Sequence, residues 1–171
     1  MGNPDREGTK KAMRKKVTII VDTREQRPFL FSRLPVEVVR APLPTGDYSV
    51  PGFEDQIALE RKSIDDLVGC LKGENRERFQ RELARSMHFQ VFVVLVEADF
   101  DDIRHGRYRS EMKSESVLQS LAAFGIRYGV SFQFCGTRAH AEYWAYSILT
   151  KFVAEQHIRY ERLVAGQIPS V

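Results

Sequence analysis

Short apolar runs and apolar stripes at helical spacing alternate along this chain. The runs, rich in branched and aromatic side chains, predict β-strands. The predicted strands occupy residues 17–21, 36–40, 47–50, 56–61, 90–96 and 130–134. Residues 90–96 are the most apolar run and are expected at the centre of a sheet. The two segments that flank Pro51 and Gly52 are expected to pair as a hairpin.

Between these runs, apolar residues three or four positions apart predict α-helices. The predicted helices begin after Ser63, at Asn75, at Ser114 or Ser116, and after Thr137. Their buried sides are predicted to include Phe79, Leu83 and Met87 in the second helix and Tyr143, Trp144, Ile148 and Phe152 in the last. Because strands and helices alternate in the second half, the pattern predicts an α/β fold with a mixed, partly parallel central sheet flanked by helices.

Length and composition narrow the class of protein. A chain of 171 residues with 43% hydrophobic and 29% charged residues is typical of a single globular domain. It has no apolar run close to the ~20 residues of a membrane helix and no secretory signal pattern. Two cysteines, Cys70 and Cys135, are too few for a disulfide framework or a zinc cluster. We therefore expect a cytoplasmic (nucleoid) or nuclear protein that is neither secreted nor membrane-bound.

The net charge of +3 is unevenly distributed, because residues 1–16 alone carry a net charge of +4. This segment is predicted to be a flexible basic tail. It either adds nonspecific affinity for phosphates or only keeps the chain in solution. Residues 156–171 show a weak pattern and are predicted to form a C-terminal tail.

Two acids and a lysine suggest a catalytic site at the end of a predicted strand. Glu60 and Lys62 are two residues apart, so on a strand their side chains point to the same face, and Arg61 points to the other. A hairpin would bring Asp47 beside Glu60. Two close carboxylates favour a divalent cation such as Mg²⁺, and Lys62 could then orient or deprotonate a water molecule or stabilise charge on phosphorus.

The simpler interpretation is a group of surface charges at a strand end, because an Asp followed by Glu-x-Lys often occurs by chance. Two features favour a site. The segment QIALERK carries its charges directly after apolar residues, and a second charged cluster, 22–25, follows another buried strand. The carboxyl ends of strands are where α/β folds gather functional residues.

Four motifs, in order, make the resemblance to a known family specific. They are VDTRE (21–25), GDY (46–48), ERKSIDDL (60–67) and NRERFQREL (75–83). Together they resemble the nuclease domain of the XPF-type structure-specific endonucleases, which include excision-repair flap nucleases and the archaeal fork nuclease Hef. The resemblance covers residues 17–155.

The resemblance implies a restriction-endonuclease-like fold and Mg²⁺- or Mn²⁺-dependent cleavage of branched DNA, such as forks, 3′-flaps or junctions, in repair or recombination. It implies metal ligation by Asp47, Glu60 and the backbone carbonyl of Arg61, with Lys62 as the catalytic lysine. Further catalytic positions implied by the motifs are Asp22, Arg24 and Asp66, with Glu25 beside them. Asp66 could equally be an acid favoured by a helix start.

The chain departs from the family pattern at two places. The turn between GDY and ERK is longer by a few residues, which changes a loop rather than the chemistry. Residues after 155 do not resemble the tandem helix-hairpin-helix module that usually follows and binds DNA, so the DNA contacts are expected within the nuclease domain or in a partner.

One basic loop is the candidate for those contacts. It carries Arg104, Arg107, Tyr108, Arg109 and Lys113, and is expected either to follow DNA phosphates, with Tyr108 stacking on a base, or to be an ordinary solvated loop. The arginines of the predicted helix from Asn75 could flank DNA, but ion pairs with the interleaved glutamates are the favoured interpretation.

The C-terminal strand and helix are unusually aromatic. The resemblance implies pairing through this part of the nuclease domain, as a homodimer or with a different partner subunit, and the alternative is a well-packed core. Two functional alternatives stay open beside the active nuclease. One is a non-catalytic XPF-like subunit that binds DNA and dimerises, and the other is a junction nuclease of the same fold from a phage or mobile element. The presence of all the acidic residues favours activity.

Overall fold

The computed structural model describes residues 16–166, and six strands in this part of the chain form one sheet. The strands are β1 (Val17–Asp22), β2 (Val36–Ala41), β3 (Tyr48–Ser49), β4 (Ile57–Lys62), β5 (Val91–Val96) and β6 (Ser131–Phe134). The helices are α1 (Ile64–Gly69), α2 (Gly73–Ser86), α3 (Phe100–Arg104), α4 (Ser114–Tyr128) and α5 (Arg138–Val164). The predicted basic tail falls, apart from Lys16, outside the described residues, as does the end of the predicted C-terminal tail.

The strand order is β2-β1-β3-β4-β5-β6, and the pairing is mixed, as predicted. β1 pairs with β2 in parallel, and β4, β5 and β6 are parallel to one another. The short strand β3 runs antiparallel to both β1 and β4. The carboxyl ends of β1 and β4 and the amino end of β3 therefore meet at one edge of the sheet, which is where the candidate site lies.

Two separate apolar cores cover the two faces of the sheet. Ala58 and Val94 pack with α1, α2 and α4 on one face, whereas Leu59 and Leu95 pack with α5 on the other. Alternate residues of β4 and β5 thus enter different cores, which explains why these strands read as nearly continuous apolar runs. The run at 90–96 forms β5, an interior strand next to the edge strand β6.

Helices α1 and α2 follow the sequence prediction with two changes. Ser63 caps α1 as predicted, because its hydroxyl accepts the backbone N–H of Asp66 at 3.2 Å. α2 begins at Gly73, two residues earlier than predicted. Phe79 and Leu83 are buried, but the prediction that Met87 joins them is wrong, since the helix ends at Ser86 and Met87 is exposed.

The predicted buried side of the last helix is partly wrong. Its cap at Thr137 is confirmed by a hydrogen bond from the His140 backbone, and Phe152 is buried. Tyr143 and Trp144, however, are 60% and 43% exposed. The buried positions are Ala141, Ala145, Leu149 and Phe152. Because the side chains of Ala141 and Ala145 are small, α5 lies close to the sheet. The larger Tyr143 and Trp144 do not fit into this contact and lie outside it.

Two other elements differ from the predicted pattern. α5 continues to Val164, because the segment after Ile158 has good helix formers; Glu161 also contacts His157 one turn earlier, at 3.1 Å. α3 was not predicted, since five residues are too short to show a helical period. Asp102 caps this helix, because its carboxylate accepts the Asp99 backbone N–H at 2.9 Å.

No helix within residues 16–166 is long and apolar enough to cross a bilayer. The domain boundaries at 16 and 155 stay predictions.

Candidate active site

An open cleft of about 710 Å³ lies at the edge of the sheet where β1 and β4 end and β3 begins. Its acidic lining residues are Asp22, Glu25, Asp47, Glu60, Asp65, Asp66 and Glu82. Its basic lining residues are Arg24, Arg61, Lys62, Arg78, Arg81 and Arg85. All seven residues that the sequence singled out as catalytic are in this lining. The five residues of the basic loop are not.

Asp47 is held between two strands. Its backbone N–H donates to the carbonyl of Leu59 in β4 at 2.7 Å, and its carbonyl accepts the N–H of Asp22 at the end of β1 at 2.8 Å. Its carboxylate accepts the backbone N–H of Arg61 at 2.7 Å. These three bonds fix the Asp47 side chain at the end of β4, beside Glu60.

The glycine before Asp47 is required by space as well as by backbone conformation. Gly46 has φ +76°, in the left-handed region. A Cβ atom at this position would lie 2.9 Å from the Cβ of Ala58 and 3.1 Å from the carbonyl oxygen of Leu59. Contacts this short are not tolerated between a side chain and a strand backbone, so only glycine lets the chain before β3 pass this close to β4.

The two carboxyl groups of Asp47 and Glu60 carry an electrostatic penalty. Burial, opposed by the hydrogen bond from Arg61 and reinforced by the charge of Glu25, raises the pKa of Asp47 to about 7. Burial and the nearby charge of Asp47 raise the pKa of Glu60 well above its usual range. Near neutral pH the pair therefore does not readily hold two negative charges on its own, and a bound cation would relieve the repulsion.

The donor set fits a magnesium or manganese ion better than a transition metal that prefers nitrogen or sulfur. Mg²⁺ takes one or two carboxylates and completes its shell with water and phosphate oxygens. No group of three or more His, Cys, Asp or Glu side chains is arranged to hold a metal within residues 16–166. A cation here would therefore rest on Asp47, Glu60, one carbonyl and solvent or substrate.

Lys62 lies on the same face of β4 as Glu60 and forms an ion pair with it. Its ammonium group is 5.4 Å from the ring centroid of Phe79 in α2. Burial alone would lower the pKa of Lys62, but the charges of Glu60 and Glu82 and the hydrogen bond to Glu60 together raise it. The side chain is thus held as a cation. This favours two of the predicted roles, orienting water and stabilising negative charge, over deprotonating water.

Asp22 is nearly fully buried, and both of its carboxylate oxygens are occupied. The backbone N–H and Nε of Arg24 each donate to Oδ1 at 2.8 Å, and Oδ2 accepts from Arg24 Nη2 at 3.0 Å and from the Leu43 backbone at 2.6 Å. Burial would raise the pKa of Asp22, but these hydrogen bonds lower it. The side chain of Arg24 is 70% exposed and lines the cleft. The Asp22 carboxylate therefore holds Arg24 in place, and the catalytic role of Asp22 stays a prediction.

Arg61 points away from the cleft centre, as the strand alternation predicts, into a buried ion-pair network. Its guanidinium lies 3.3 Å from Glu25 and 3.3 Å from Glu97. Glu97 also binds Arg138 at 2.7 Å, at the start of α5. Arg138 in turn donates to the carbonyls of residues 27 and 28 and stacks on Phe29. The Arg61 side chain thus joins β4 to the loop after β1 and to α5.

The two acids at the start of α1 have different partners. The Asp66 carboxylate accepts the Ser63 hydroxyl at 2.7 Å while still lining the cleft, so a capping role is present and a catalytic role stays a prediction. Asp65 accepts both the backbone N–H and the Nε of Arg109, at 2.9 and 2.7 Å. This contact ties the predicted DNA-binding loop to the rim of the cleft.

The rest of that loop is partly engaged in structural contacts. Arg107 binds Asp102 at 2.7 Å. Tyr108 is half-buried against the core on the α4 side, and its hydroxyl donates to the Met112 carbonyl at 2.7 Å, which limits its freedom to stack on a base. Arg104, the last residue of α3, and Lys113, which precedes α4, are exposed.

Sequence reasoning missed several residues that the fold brings to the site. Glu97 and Arg138 join Arg61 from distant segments, and no local pattern indicates them. Glu82 reaches the cleft from α2, beside Arg78 and Arg85, which the sequence had already placed on one helix face as arginines that could flank DNA. The ion pairs predicted for the α2 arginines reduce to one between Arg81 and Glu77, at 3.9 Å, within the described residues.

The chain matches a family model described as ERCC4 domain over residues 21–148. It is 30% identical over 118 residues to the DNA repair endonuclease XPF of Cricetulus griseus, covering 65% of this chain and 12% of that protein. It is 34% identical over 92 residues to the 3′-flap repair endonuclease Xpf of Saccharolobus solfataricus, covering 52% of this chain and 37% of that protein. The chain thus spans about an eighth to just over a third of these relatives.

Two solved structures of XPF from Aeropyrum pernix share the fold. The first has a TM-score of 0.64 at 21% identity and covers 90% of this chain and 75% of that one. The second, a complex with DNA, has a TM-score of 0.65 at 24% identity and covers 82% of this chain and 66% of that one. The predicted restriction-endonuclease-like architecture, a mixed sheet flanked by helices, is confirmed.

Proposed function

Because this chain belongs to the ERCC4 domain family, we propose that it is a structure-specific endonuclease domain that hydrolyses phosphodiester bonds in branched DNA with Mg²⁺ or Mn²⁺, in DNA repair or recombination. One observation carries the proposal. The half-buried Asp47 and the buried Glu60 both have carboxyl groups with raised pKa values, and the cationic Lys62 lies beside them in an open cleft. The relatives are a DNA repair endonuclease and a 3′-flap repair endonuclease, which supports this substrate class.

Asp47, Glu60 and the backbone carbonyl of Arg61 would hold the metal ion. When bound, the ion supplies an activated water and neutralises charge that develops on the phosphate. Lys62 keeps its positive charge beside this position, and it orients water or stabilises the negative charge of the transition state. Arg24, held by Asp22, presents an exposed guanidinium that can bind a neighbouring phosphate.

The basic loop is proposed to contact DNA phosphates at the rim of the cleft. Its Arg109 is held against Asp65, which lines the cleft, so the loop lies next to the proposed cleavage position. Arg104, Arg107 and Lys113 add positive charge, and Tyr108 supports the loop from its half-buried position. Contacts of this kind position a nucleic acid without reading its sequence.

A homodimer through the C-terminal part of the domain, or a partner subunit in its place, is part of the proposal. α5 exposes Tyr143 and Trp144, and an apolar groove of about 400 Å³ lies between Trp144, Phe152 and the start of β5 at Val91. Exposed aromatic side chains beside an apolar groove are typical of subunit interfaces. Light scattering at several concentrations, with Trp144→Glu as the variant, tests whether this surface pairs two copies.

The test of the activity is cleavage of labelled forks, 3′-flaps, four-way junctions and linear duplex in Mg²⁺ and in Mn²⁺. We expect the branched substrates to be cut and Asp47→Ala to be inactive. Asp55→Asn is the matched control, because Asp55 is exposed in the turn before β4, at the opposite end of that strand from the cleft, and should cut normally.

A wild-type protein that binds these substrates but cuts none of them would overturn the proposal in favour of a non-catalytic DNA-binding subunit. Cleavage by Asp47→Ala would instead move the active site elsewhere. Cutting of linear duplex at the same rate as forks would leave a nuclease without branch specificity.

A further inference from the structure

Three arginines form a row along the cleft-facing side of α2. Arg78, Arg81 and Arg85 are three, four and seven residues apart, which places them on one side of a helix. All three are exposed, and all three line the cleft. Ion pairs with neighbouring glutamates were the favoured prediction for these arginines, and none of the three takes part in the proposed metal site.

These guanidinium groups have little competing charge. Among residues 16–166, Arg78 and Arg85 form no ion pair, and Arg81 meets only Glu77, at 3.9 Å between two well-exposed side chains. Exposed pairs of this kind contribute little. By contrast, Arg76, on another side of the helix, donates to Leu71 and Ser120 and stacks on Phe124. α2 therefore uses Arg76 for packing and presents the row to solvent.

The row lies close to the proposed catalytic residues. Phe79, which follows Arg78 in the chain, is the ring that faces the ammonium group of Lys62 at 5.4 Å. Glu82, between Arg81 and Arg85, also lines the cleft. At 1.5 Å per residue the row is about 10 Å long, which corresponds to roughly three base-pair steps of a DNA strand.

We propose that Arg78, Arg81 and Arg85 bind successive phosphates of the DNA strand that enters the cleft, and that α2 thereby sets the path of this strand over Lys62. The inference rests on the proposed nuclease function and adds a DNA-contact surface to it. A mononucleotide has a single phosphate group and can occupy only one position of the row, whereas a DNA strand offers one phosphate group to each arginine. An acidic protein would be repelled by the carboxylates of the cleft floor, whereas a phosphodiester backbone meets the row first and the floor only at one phosphate.

The test measures the salt dependence of DNA binding, separately from cleavage. Fluorescence anisotropy of a labelled fork is recorded in EDTA between about 0.05 and 0.2 M salt, for the wild type and for Arg78→Gln/Arg85→Gln. Each phosphate contact contributes about 0.9 to the slope of log K against log salt, so the double variant should lose about 1.8 units of slope. The same relation gives binding about 60-fold weaker at 0.1 M salt.

Two controls isolate the row from general charge. Arg33→Gln/Arg127→Gln removes the same charge from exposed residues that precede β2 and β6, at the end of the parallel strands opposite the cleft, and should leave the slope unchanged. Arg78→Lys/Arg85→Lys keeps the charges and should restore the wild-type slope. Thermal melting checks that all three variants are folded.

The outcomes separate this inference from the proposed function. If the Arg78→Gln/Arg85→Gln variant has the slope and affinity of the Arg33→Gln/Arg127→Gln control, the inference is wrong even when the wild type cleaves DNA. If the wild type binds with the expected slope but cuts nothing, the inference stands and the catalytic proposal fails. If the wild type does not bind the fork, both are wrong.

Discussion

Three consecutive residues of β4 enter two very different electrostatic environments. On one face, Arg61 lies nearly buried between Glu25 and Glu97, and the partly exposed Arg138 adds a second positive charge, so two cations face two anions. On the other face, Glu60 and Lys62 share the cleft with Asp47 and Glu82, which leaves an excess of negative charge. The positive and negative charges around Arg61 are therefore equal in number, whereas acidic side chains outnumber basic ones in the group formed by Asp47, Glu60, Lys62 and Glu82.

This difference separates structural charge from functional charge. A balanced buried network keeps its groups ionised and fixes the elements that carry them, whereas an unbalanced one shifts pKa values and leaves room for a ligand. The end of β4 carries both kinds of charge, with Arg61 in the balanced network and Glu60 and Lys62 in the unbalanced one. Changes on either side of β4 should therefore have different consequences for stability and for cleavage.

Arg61→Met should give the largest loss of stability. It leaves Glu25 and Glu97, whose side chains are 7% and 11% exposed, without the cation between them. Breaking a buried ion pair from one side costs about 3–5 kcal/mol. Urea unfolding of the metal-free protein measures this change. A loss below about 1 kcal/mol would mean that the network does not hold the two faces of the sheet together.

Lys62→Met applies the same substitution to the neighbouring residue and should mainly affect the reaction. Removing one charge-stabilising group lowers the rate of a cleavage step by about 10²- to 10³-fold. Stability should fall less than in Arg61→Met, because the Glu60 carboxyl, whose pKa is already raised, can bind a proton instead. Single-turnover cleavage and urea unfolding give both values. Equal destabilisation by the two variants would erase the contrast between the faces.

Cation binding in the cleft, on the Glu60 and Lys62 face of β4, should depend on pH because Asp47 must lose a proton first. The pKa of Asp47 is raised from 3.8 to about 7, so the folded metal-free protein holds a proton that the unfolded chain releases. Through this group, stability without metal falls as pH rises from about 4 to 7. A cation needs the deprotonated form, so Mn²⁺ affinity should rise about tenfold between pH 6 and 8. Calorimetry in two buffers measures the affinity and the released proton, and a pH-independent affinity would contradict this assignment.

Asp65→Asn should have the smallest effect. Asp65 is half-buried, but its contact with the exposed Arg109 lies at the rim, where water and salt screen the charges. We expect an unchanged melting temperature and an increase in fork affinity of less than about tenfold, since Arg109 is released for phosphates. A clear drop in melting temperature would show that the loop is held by this pair, as the Arg61 network holds β4.

The local parts of this arrangement could be predicted from the sequence. Residue alternation along β4 separates Arg61 from Glu60 and Lys62, and the hairpin predicted on either side of Pro51 is observed with Tyr48 opposite Leu59. Ser63 and Thr137 were recognised as caps because their hydroxyl groups act within three residues. These features depend on neighbours in the chain, which a single sequence contains.

The parts that were missed depend on contacts between distant segments. Glu97 and Arg138 meet Arg61 only after β5 and α5 have packed, so no spacing indicates them. Trp144 was predicted to be buried because apolar area favours burial, but α5 packs closely through Ala141 and Ala145 instead. Local pattern identifies which segment is apolar, whereas the distance between layers determines which side chains fit.

Gly46 gives the cleft an unusual kind of fragility. In a scan that replaces every residue in turn, loss of activity usually identifies side chains that take part in the reaction. Gly46 has no side chain, yet an alanine there would push against Ala58 and Leu59 and displace Asp47 from the strand end. Such a scan would find Gly46 as sensitive to substitution as Asp47 and Glu60. The positions at which substitution abolishes activity would therefore outnumber the side chains that take part in the reaction.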